Sequence, residues 1–426
     1  MTHSDQLSSQ APNSEFVEGW PVILAAALGT TVSLFPAVAV AAMMKMLATQ
    51  NGWSRADISG GAFVISLGML VFGPLVGSLI DRFGPRRIAL IGVPCHAAVL
   101  FVFGLAGPSL WAWYTVCAIM AVASATVSPV VWTMAVISRF DRRRGFALGL
   151  SMGGLALTNA VVPAFMVATA RWGGIQGAFH LLALVELVTV FPVAWLFFRS
   201  AADLGPRAAT DRARLAAPPA HEGMTFREAL HTPRFWFLAL IMIVAAGAGG
   251  LFVLHLQPIL TDGGLSPMEA AFARGAIGPA LLVGRIGGGA LLDRVFAPFL
   301  VSGMLFVLLL AVIAILAGPM SMPRGVAVAL LVGVSLGAEV DCIAFVVSRY
   351  FGTQHFATIY GMLFGLFSLG YGLGPLVGGL VFDKFGSYFW VLGPFAGLLT
   401  VAMVVALLLG PYPANVQGRG TAESIP

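Results

Sequence analysis

The stretch GSLIDRFGPRR, residues 77–87, sets one aspartate and three arginines directly behind an apolar run that begins near Ile58. That run is about 20 residues long, which at 1.5 Å per residue approaches the roughly 30 Å of a bilayer's hydrocarbon core. Of the 426 residues, 59% are hydrophobic and 10% are charged. Ordinary soluble domains carry roughly 25% charged residues, so this composition predicts an integral membrane protein.

Apolar runs of this length recur along the whole chain, and each predicts a membrane-spanning helix. Residues 1–19 contain no Lys or Arg, so they lack the basic start of a secretory signal peptide, and we expect the first span to be retained. The twelve predicted spans are 20–47, 57–80, 88–107, 110–138, 145–169, 176–198, 235–260, 270–292, 298–317, 325–348, 358–382 and 388–410.

The basic residues between the spans and near their ends are distributed unevenly. If the N-terminus is cytoplasmic, sixteen of them fall on the inner side and six on the outer side. This asymmetry follows the positive-inside rule and predicts that both termini lie in the cytoplasm. It also accounts for the net charge of +5, which therefore does not indicate a nucleic-acid partner. The six outer residues are Lys45, Arg55, Arg171, Arg274, Arg324 and Lys384.

An internal repeat divides the chain into two halves. A shift of 212 residues superimposes GSLIDR at 77–82 on GALLDR at 289–294. The longest polar segment separates the halves and is rich in Ala, Pro and Arg, as expected of a linker. We therefore predict an N-terminal tail at 1–19, a first bundle at 20–198, a cytoplasmic linker at 199–233, a second bundle at 234–410 and a C-terminal tail at 411–426.

The stretch at 77–87 resembles a signature of the major facilitator superfamily, G-x-x-x-D-R/K-x-G-R/K-R/K, found between the second and third spans. Pro85 departs from the basic tail of the signature, but Arg86 and Arg87 keep its charge. The resemblance covers the whole chain. It implies an all-α integral membrane protein with twelve transmembrane helices in two pseudo-symmetric six-helix bundles, and a substrate site between them near the midplane.

The same resemblance implies an inner gate, in which charges at helix ends close the cytoplasmic face in one state and separate in the other. Arg139 and Arg349 end the fourth and tenth spans at matching places, and they are the expected partners of Asp81 and Asp293. The alternative is that these charges serve only to orient the helices. The predicted gate residues are Asp81, Arg82, Arg86, Arg139, Asp293, Arg294 and Arg349.

Shorter motifs resemble the monocarboxylate porter and oxalate/formate antiporter branch of that superfamily, particularly its bacterial members. They are EGWP at 18–21, FP at 35–36, NGWSRADIS at 51–59, HLQPILTDGGLS at 255–266 and GAEVDCIAFVVSRYFG at 337–352. This likeness implies a secondary active transporter for a small organic anion, most simply a monocarboxylate, with proton coupling. It also implies residence in the plasma membrane, here a bacterial inner membrane.

Arg285 matches the arginine that engages substrate in the eighth span of that branch, and a guanidinium suits a carboxylate because it can donate two parallel hydrogen bonds. A permanent pair between Arg285 and Asp341, with no substrate role, is the alternative. The chain departs from the branch at Ala37, where animal relatives have lysine, and at Leu281, where they have aspartate. The proton relay of those relatives therefore does not transfer unchanged.

Three acidic residues lie well inside predicted spans, where a charge costs roughly 2.5–3.5 kcal/mol by insertion scales. Glu339 and Asp341 are two residues apart, about 200° around a helix, so both cannot face one cavity. Either could carry a coupled proton, and the sequence does not choose between them. Glu186 stands in an otherwise apolar span, and we interpret it as structural.

Several other side chains are candidates for lining the substrate cavity. A single histidine is more often a packing residue than a ligand. We therefore interpret His255 mainly as a packing residue, with a substrate role as the alternative. In a chain with 11% aromatic residues, packing is the simplest role for any one ring. The predicted lining residues besides Arg285 are Phe35, Trp132, His255, Phe364, Phe367 and Tyr371.

No sequence motif indicates an enzyme. Lys45 and Lys384 are the only lysines, and neither is followed by Ser or Thr, so no phosphate-binding GxxxxGK[ST] loop exists to use ATP. The three cysteines fall singly within spans without metal-ligand spacing, so we predict neither cofactor nor metal, and no obligate protein partner. The alternative functions are a proton-driven exporter of hydrophobic compounds and a non-transporting receptor on the same fold.

Overall fold

The structure is a computed structural model that describes residues 14–105, 107–140, 144–200, 203, 223–292, 294–352 and 356–412. Within these ranges the chain is almost entirely helical, with one isolated β-bridge between Gly223 and Gly352. The described residues do not include 1–13 and 413–426 of the predicted tails, most of the predicted linker, or the predicted gate residue Asp293.

Within the described residues, the first half contains nine α-helices and one π-helix. They are α1 (Ser14–Val32), α2 (Phe35–Asn51), α3 (Arg55–Phe83), α4 (Pro85–Leu105), α5 (Leu110–Thr126), α6 (Pro129–Ile137), α7 (Arg144–Ser151), α8 (Gly153–Val185), the π-helix Glu186–Val190 and α9 (Phe191–Phe197).

The second half follows the described part of the linker. Its helices are α10 (Phe226–Leu230), α11 (Pro233–Asp262), α12 (Pro267–Gly275), α13 (Ile277–Leu292), α14 (Ala297–Leu316), α15 (Met322–Phe351), α16 (Phe356–Phe385) and α17 (Phe389–Leu407).

Eleven helical stretches of the described chain are long and apolar enough to cross a membrane. The longest, 147–197, has 51 residues and would extend about 76 Å as one helix, more than twice the thickness of the hydrocarbon core. Gly174 interrupts it with φ 62°, a left-handed backbone conformation that glycine adopts without a steric penalty. This stretch therefore contains two crossings, and twelve spans result.

Four spans that the sequence predicts as continuous helices are broken in the structure. The first is divided between α1 and α2, the fourth between α5 and α6, the fifth between α7 and α8, and the eighth between α12 and α13. Pro36 and Pro129 stand at the starts of α2 and α6, where a residue without an N–H donor fits because the first turn of a helix has no acceptor for it.

The buried apolar side chains form two clusters, one in each half. The first runs from Val22 to Phe198 and the second from Ala229 to Leu409. Leu254 and Ala271 of the second half belong to the first cluster, so apolar packing is continuous where the halves meet.

Glycines allow α11 and α16 to pack closely. A Cβ atom placed on Gly374 would lie 1.9 Å from the carbonyl oxygen of Gly247, and one placed on Gly378 would lie 2.3 Å from Leu251 Cδ1. No larger side chain fits at these positions without moving the helices apart, as expected where membrane helices associate through small residues. The arrangement fixes the depth of α16 relative to α11, and with it the positions of the aromatic side chains of α16.

Candidate functional site

The main contacts between the two halves join four pairs of helices: α2 with α11, α3 with α16, α8 with α12, and α8 with α13. The contact between α3 and α16 is extensive, because a Cβ atom on Gly379 would lie 2.7 Å from the nitrogen of Ala56, and one on Gly365 would lie 2.9 Å from Leu70 Cδ1. Following the predicted orientation, we call the end of the molecule that carries Ala56 and Gly379 the outer side.

Arg55 is the central residue of the contact between the halves at the outer side. Its Nη1 lies 2.6 Å from Asp262 Oδ2 at the end of α11 and donates a hydrogen bond of 2.6 Å to the hydroxyl of Tyr388. The guanidinium carbon lies 3.7 Å from the centre of the Phe382 ring, a cation–π contact. Lys45 also reaches Asp262, with Nζ 2.6 Å from Oδ1.

Asp383 at the end of α16 binds the first turn of α3. Its carboxylate accepts hydrogen bonds from the backbone nitrogens of Arg55, at 2.9 Å, and of Ala56, at 2.7 Å. Ser54 and Asp57 satisfy further groups of the same turn through a reciprocal capping box. A negative charge is favourable here because the N-terminus of a helix presents unpaired N–H groups and the positive end of its dipole.

His255 lies below this contact and is fully buried. The hydroxyl of Tyr388, which accepts from Arg55, donates to His255 Nδ1 at 2.7 Å. His255 Nε2 lies 2.9 Å from the Pro375 carbonyl oxygen and 2.9 Å from Ser59 Oγ in the first half. Because a carbonyl can only accept, Nε2 carries the hydrogen.

These residues form one continuous hydrogen-bonded and ionic network that joins the halves, and we name it the outer latch. The sequence treats two of its basic members only as indicators of orientation. The outer latch comprises Lys45, Arg55, Ser59, His255, Asp262, Asp383 and Tyr388.

The predicted inner-gate arginines lie at the other end of the molecule. Arg86 donates to the Trp195 carbonyl at 2.9 Å, a contact within the first half. The guanidinium of Arg82 lies 5.2 Å from the Phe83 ring, and that of Arg349 lies 5.1 Å from the Phe345 ring. Arg82, Arg294 and Arg349 are exposed and Arg139 is half-buried; the side chain of Asp81 lies outside the described residues. The gate as a unit remains a prediction.

Arg285 lies in α13 where that helix packs against α15. A Cβ atom on Gly337 would lie 2.2 Å from the Leu281 carbonyl and 2.8 Å from the Arg285 nitrogen, so the two backbones are in direct contact. The Arg285 side chain is half-buried. Because the side chain of Asp341 lies outside the described residues, the alternative of a permanent Arg285–Asp341 pair stays open.

Glu339 points from α15 towards α11. Its Oε2 lies 3.8 Å from the position that a Cβ atom on Gly249 would occupy, and its Oε1 is buried without a hydrogen-bond partner in the structure. A carboxyl group is expensive to bury without a partner, so Glu339 is a candidate for proton exchange.

The predicted aromatic residues separate into two groups. Phe364, Phe367 and Tyr371 stack along one face of α16, with ring centres 5.6 Å and then 6.2 Å apart, and the row continues to Tyr360. All of them are at least partly exposed. The role that the sequence predicts for this row, lining the substrate cavity, stays a prediction.

Phe35 and Trp132 are instead buried in the first half. Trp132 is completely enclosed, donates from Nε1 to the Val127 carbonyl at 3.0 Å and fills the space left by Gly29. Phe35 is also a core residue, at the start of α2. The lining role that the sequence predicts for both is therefore not realised in this conformation, because neither ring reaches an open surface.

Glu186 forms a pair within the first half that the sequence does not reveal. Both of its carboxylate oxygens lie within hydrogen-bond distance of His96 Nδ1, at 2.9 and 3.0 Å, and both side chains are fully buried. Glu186 begins the π-helix, where one additional residue per turn shifts the register of the span. The pair supports the structural interpretation of Glu186.

Arg274 is the residue that the sequence places least accurately. It is predicted as one of the outer basic residues, but the structure buries it completely in α12, and its Nη2 donates to the Val253 carbonyl at 2.7 Å. Arg285 is therefore not alone among arginines within the span formed by α12 and α13. No spacing in the sequence distinguishes a buried arginine from one at the membrane surface.

Known proteins similar to this chain are transporters. The sequence matches the family described as Major Facilitator Superfamily over residues 26–365. An "MFS-type transporter" of Gibberella moniliformis is 25% identical over 93% of this chain and 92% of its own length. "Monocarboxylate transporter 13" of Bos taurus is 29% identical over 78% of this chain and 77% of its own length.

A solved structure shares the fold. It is the crystal structure of a bacterial homologue of the human lysosomal transporter Spinster, in an inward-facing and occupied conformation. The alignment has a TM-score of 0.66 and 17% sequence identity, and it covers 91% of this chain and 96% of that one.

Proposed function

Because the chain belongs to the Major Facilitator Superfamily, and is therefore a multi-pass membrane transporter rather than an enzyme, we propose that it carries a small organic monocarboxylate by alternating access. The observation that carries this proposal is Arg285, a half-buried guanidinium within a membrane span, at the contact between α13 and α15. The relative named as a monocarboxylate transporter supports the same class of cargo.

Arg285 would bind the carboxylate, and the aromatic row of α16 would contact the remainder of the substrate. A guanidinium can donate two parallel hydrogen bonds to a carboxylate, which fixes both its position and its orientation. Phe364, Phe367 and Tyr371 present partly exposed rings at helical spacing, which suits an aromatic or other flat organic acid.

Proton coupling is the second component of the proposal. Glu339 is the favoured proton carrier among the described carboxylates, because its Oε1 is buried and has no hydrogen-bond partner among the described side chains. Asp341 remains the alternative from the sequence. In either case protonation would neutralise one charge within the span while the substrate anion is bound nearby, so both could move together.

The outer latch and the predicted inner gate would close opposite sides of the cavity in turn. The latch is formed in this structure, so the outer side is the closed one. We propose that it breaks when the halves rock and that the inner-gate residues then come together. In this arrangement the tails 1–19 and 411–426 face the cytoplasm. The linker 199–233, which connects bundle 20–198 to bundle 234–410, faces the same side.

Transport into proteoliposomes tests the proposal directly. We would measure uptake of radiolabelled pyruvate, benzoate and oxalate, with and without an inwardly directed proton gradient. Pyruvate or benzoate should accumulate with the gradient. Oxalate should be a poor substrate, because its second carboxylate would have no second arginine within reach: Arg274 lies eleven residues from Arg285 along the span, about 16 Å at 1.5 Å per residue.

Substitution of Arg285 tests the proposed site. Arg285→Gln should nearly eliminate uptake, and Arg285→Lys should weaken it, because lysine keeps the charge but loses the two-point geometry. Arg171→Gln, which removes an exposed arginine of the outer side, is the matched control and should transport normally. Wild-type uptake in Arg285→Gln, or better transport of oxalate than of either monocarboxylate, would contradict the assignment.

The aromatic row also favours a second function, the export of hydrophobic compounds. Four stacked and partly exposed rings, from Tyr360 to Tyr371, could bind a lipophilic cation without any arginine. Uptake of tetraphenylphosphonium that survives Arg285→Gln, together with no uptake of the organic acids, would favour this function.

A further inference from the structure

Arg274 is a buried arginine whose hydrogen-bonding capacity is largely unused. It lies two turns into α12, and it is completely enclosed. Nη2 donates to the Val253 carbonyl of α11 at 2.7 Å, whereas Nε and Nη1 are buried without an acceptor in the structure. Among the described side chains, no carboxylate lies within ion-pair distance of it.

This arrangement points to an anion that is not part of the chain. A buried guanidinium is normally paired with a carboxylate, because desolvating an isolated charge is costly. A packing role alone would be filled at lower cost by an apolar side chain of similar length, such as methionine. The two unused nitrogens instead provide three N–H donors that an anion entering between the halves can bind.

The surroundings of Arg274 are polar and belong to both halves. Tyr371 on α16 packs against α11 close to Val253, since a Cβ atom on Gly250 would lie 2.1 Å from the Tyr371 carbonyl oxygen. Gln257 follows Val253 by one turn on α11, and its Oε1 is buried without a partner among the residues that the structure describes. The next residue of α12, Gly275, touches the first half, since a Cβ atom there would lie 3.0 Å from the Ala160 carbonyl oxygen.

We propose that Arg274 forms a second anion subsite, which binds the carboxylate of the transported acid near the outer side of the cavity. The proposal rests on the transport function proposed above. Arg274 and Arg285 are eleven residues apart, three helical turns and about 20°, so they lie on nearly the same face of the span despite the interruption at Ala276.

The spacing makes the two arginines successive positions for one anion. A separation of about 16 Å along the span is too great for a small monocarboxylate to contact both. Arg274 lies directly below the outer latch and meets the substrate first when the outer side opens, whereas Arg285 holds it deeper in the membrane.

Transport measured separately from each side tests this order. In membrane vesicles of opposite orientation, Arg274→Gln should raise the KM for external benzoate at least tenfold and change the KM for internal benzoate less than threefold. Arg285→Gln should impair uptake from both sides. Arg171→Gln removes an exposed charge from the same side of the membrane and should leave both KM values unchanged.

Protein stability separates binding from a purely structural role. Removal of a buried charge without a counter-ion should leave the melting temperature of the Arg274→Gln protein unchanged or raise it. A lower melting temperature with an unchanged external KM would show that the hydrogen bond to Val253 is the main role of Arg274, and would overturn the proposal. If the glutamine variant does not fold, Arg274→Lys must raise the external KM at least threefold; an unchanged value overturns the proposal equally.

Calorimetry of benzoate binding to the purified protein separates failure of the subsite from failure of the transport function. Binding that is at least tenfold weaker in Arg274→Gln supports the subsite even if the wild type transports none of the acids. Binding unchanged in Arg274→Gln but lost in Arg285→Gln overturns the subsite and leaves the transport proposal intact. No binding by the wild type overturns both.

Discussion

The substitution Arg55→Gln should open the outer side of the transporter. In the closed structure Arg55 contacts Asp262, Tyr388 and Phe382, all of them in the second half. Its side chain is only 10% exposed, so these contacts are largely protected from water. Glutamine keeps the helix and leaves the backbone hydrogen bonds to Asp383 in place, so the change removes the side-chain contacts alone.

The magnitude follows from the individual contacts. A hydrogen bond from a charged donor to a buried hydroxyl contributes about 1.5–3 kcal/mol, and a cation–π contact at an intermediate site contributes about 1 kcal/mol. The Asp262 side chain is 30% exposed. Its ion pair with Arg55 is therefore screened and adds at most about 1 kcal/mol. A total of about 3 kcal/mol corresponds to a roughly hundredfold shift towards the outward-open state.

Spin labels would measure this shift in a protein from which the native cysteines have been removed. We would attach them at Gly107→Cys and Ser321→Cys, which lie on exposed outer connections of the two halves. Pulsed electron resonance should give one short distance for the wild type and a substantial longer population for Arg55→Gln. Lys45→Met is the matched control, because Lys45 contacts the same Asp262 but is 43% exposed. A distance distribution that is the same in Arg55→Gln and wild type, or as strongly changed in Lys45→Met, would refute the reasoning.

Two further substitutions test buried carboxylates. Glu186→Ala leaves His96 buried without its partner and should lower the free energy of unfolding by about 3–5 kcal/mol. Glu186→Gln keeps a hydrogen bond to His96 and should lower it less. Equal melting temperatures of the wild type and both variants in detergent would contradict this. Glu339→Gln should abolish accumulation driven by a pH gradient while leaving exchange of labelled for unlabelled substrate intact. If accumulation instead persists in Glu339→Gln and is lost in Asp341→Asn, Asp341 is the carrier.

The sequence predicts the fold well because each span carries its own signal. About 20 apolar residues are sufficient to identify a membrane helix, and the repeat of 77–82 at 289–294 divides the chain without any structural information. The breaks within the first, fourth, fifth and eighth spans are harder to predict, since proline and glycine are also tolerated within continuous membrane helices.

The site is predicted less completely because its key contacts are distant in sequence. Arg55 and Asp383 are 328 residues apart, and no local pattern links them. Arg285 could be found by its place in the span and by resemblance to a family. Arg274 could not, because its burial depends on α11 passing beside it and on the first half closing against Gly275. Trp132 illustrates the converse, since an aromatic ring has the same sequence signature in a core and in a cavity.

The carboxylate of Asp383 holds the outer side closed partly through main-chain atoms, which do not depend on the amino-acid sequence of the first half. Its two acceptor contacts in the first half are main-chain amides, so they are available whichever side chains occupy positions 55 and 56. A search for complementary charges between the halves would therefore find Asp383 but not the two amides that bind it. Only a residue without an amide hydrogen could remove these contacts, and proline is tolerated by the helix itself in this first turn. This part of the outer closure can thus persist while the surrounding side chains diverge, provided that a carboxylate remains at the end of α16.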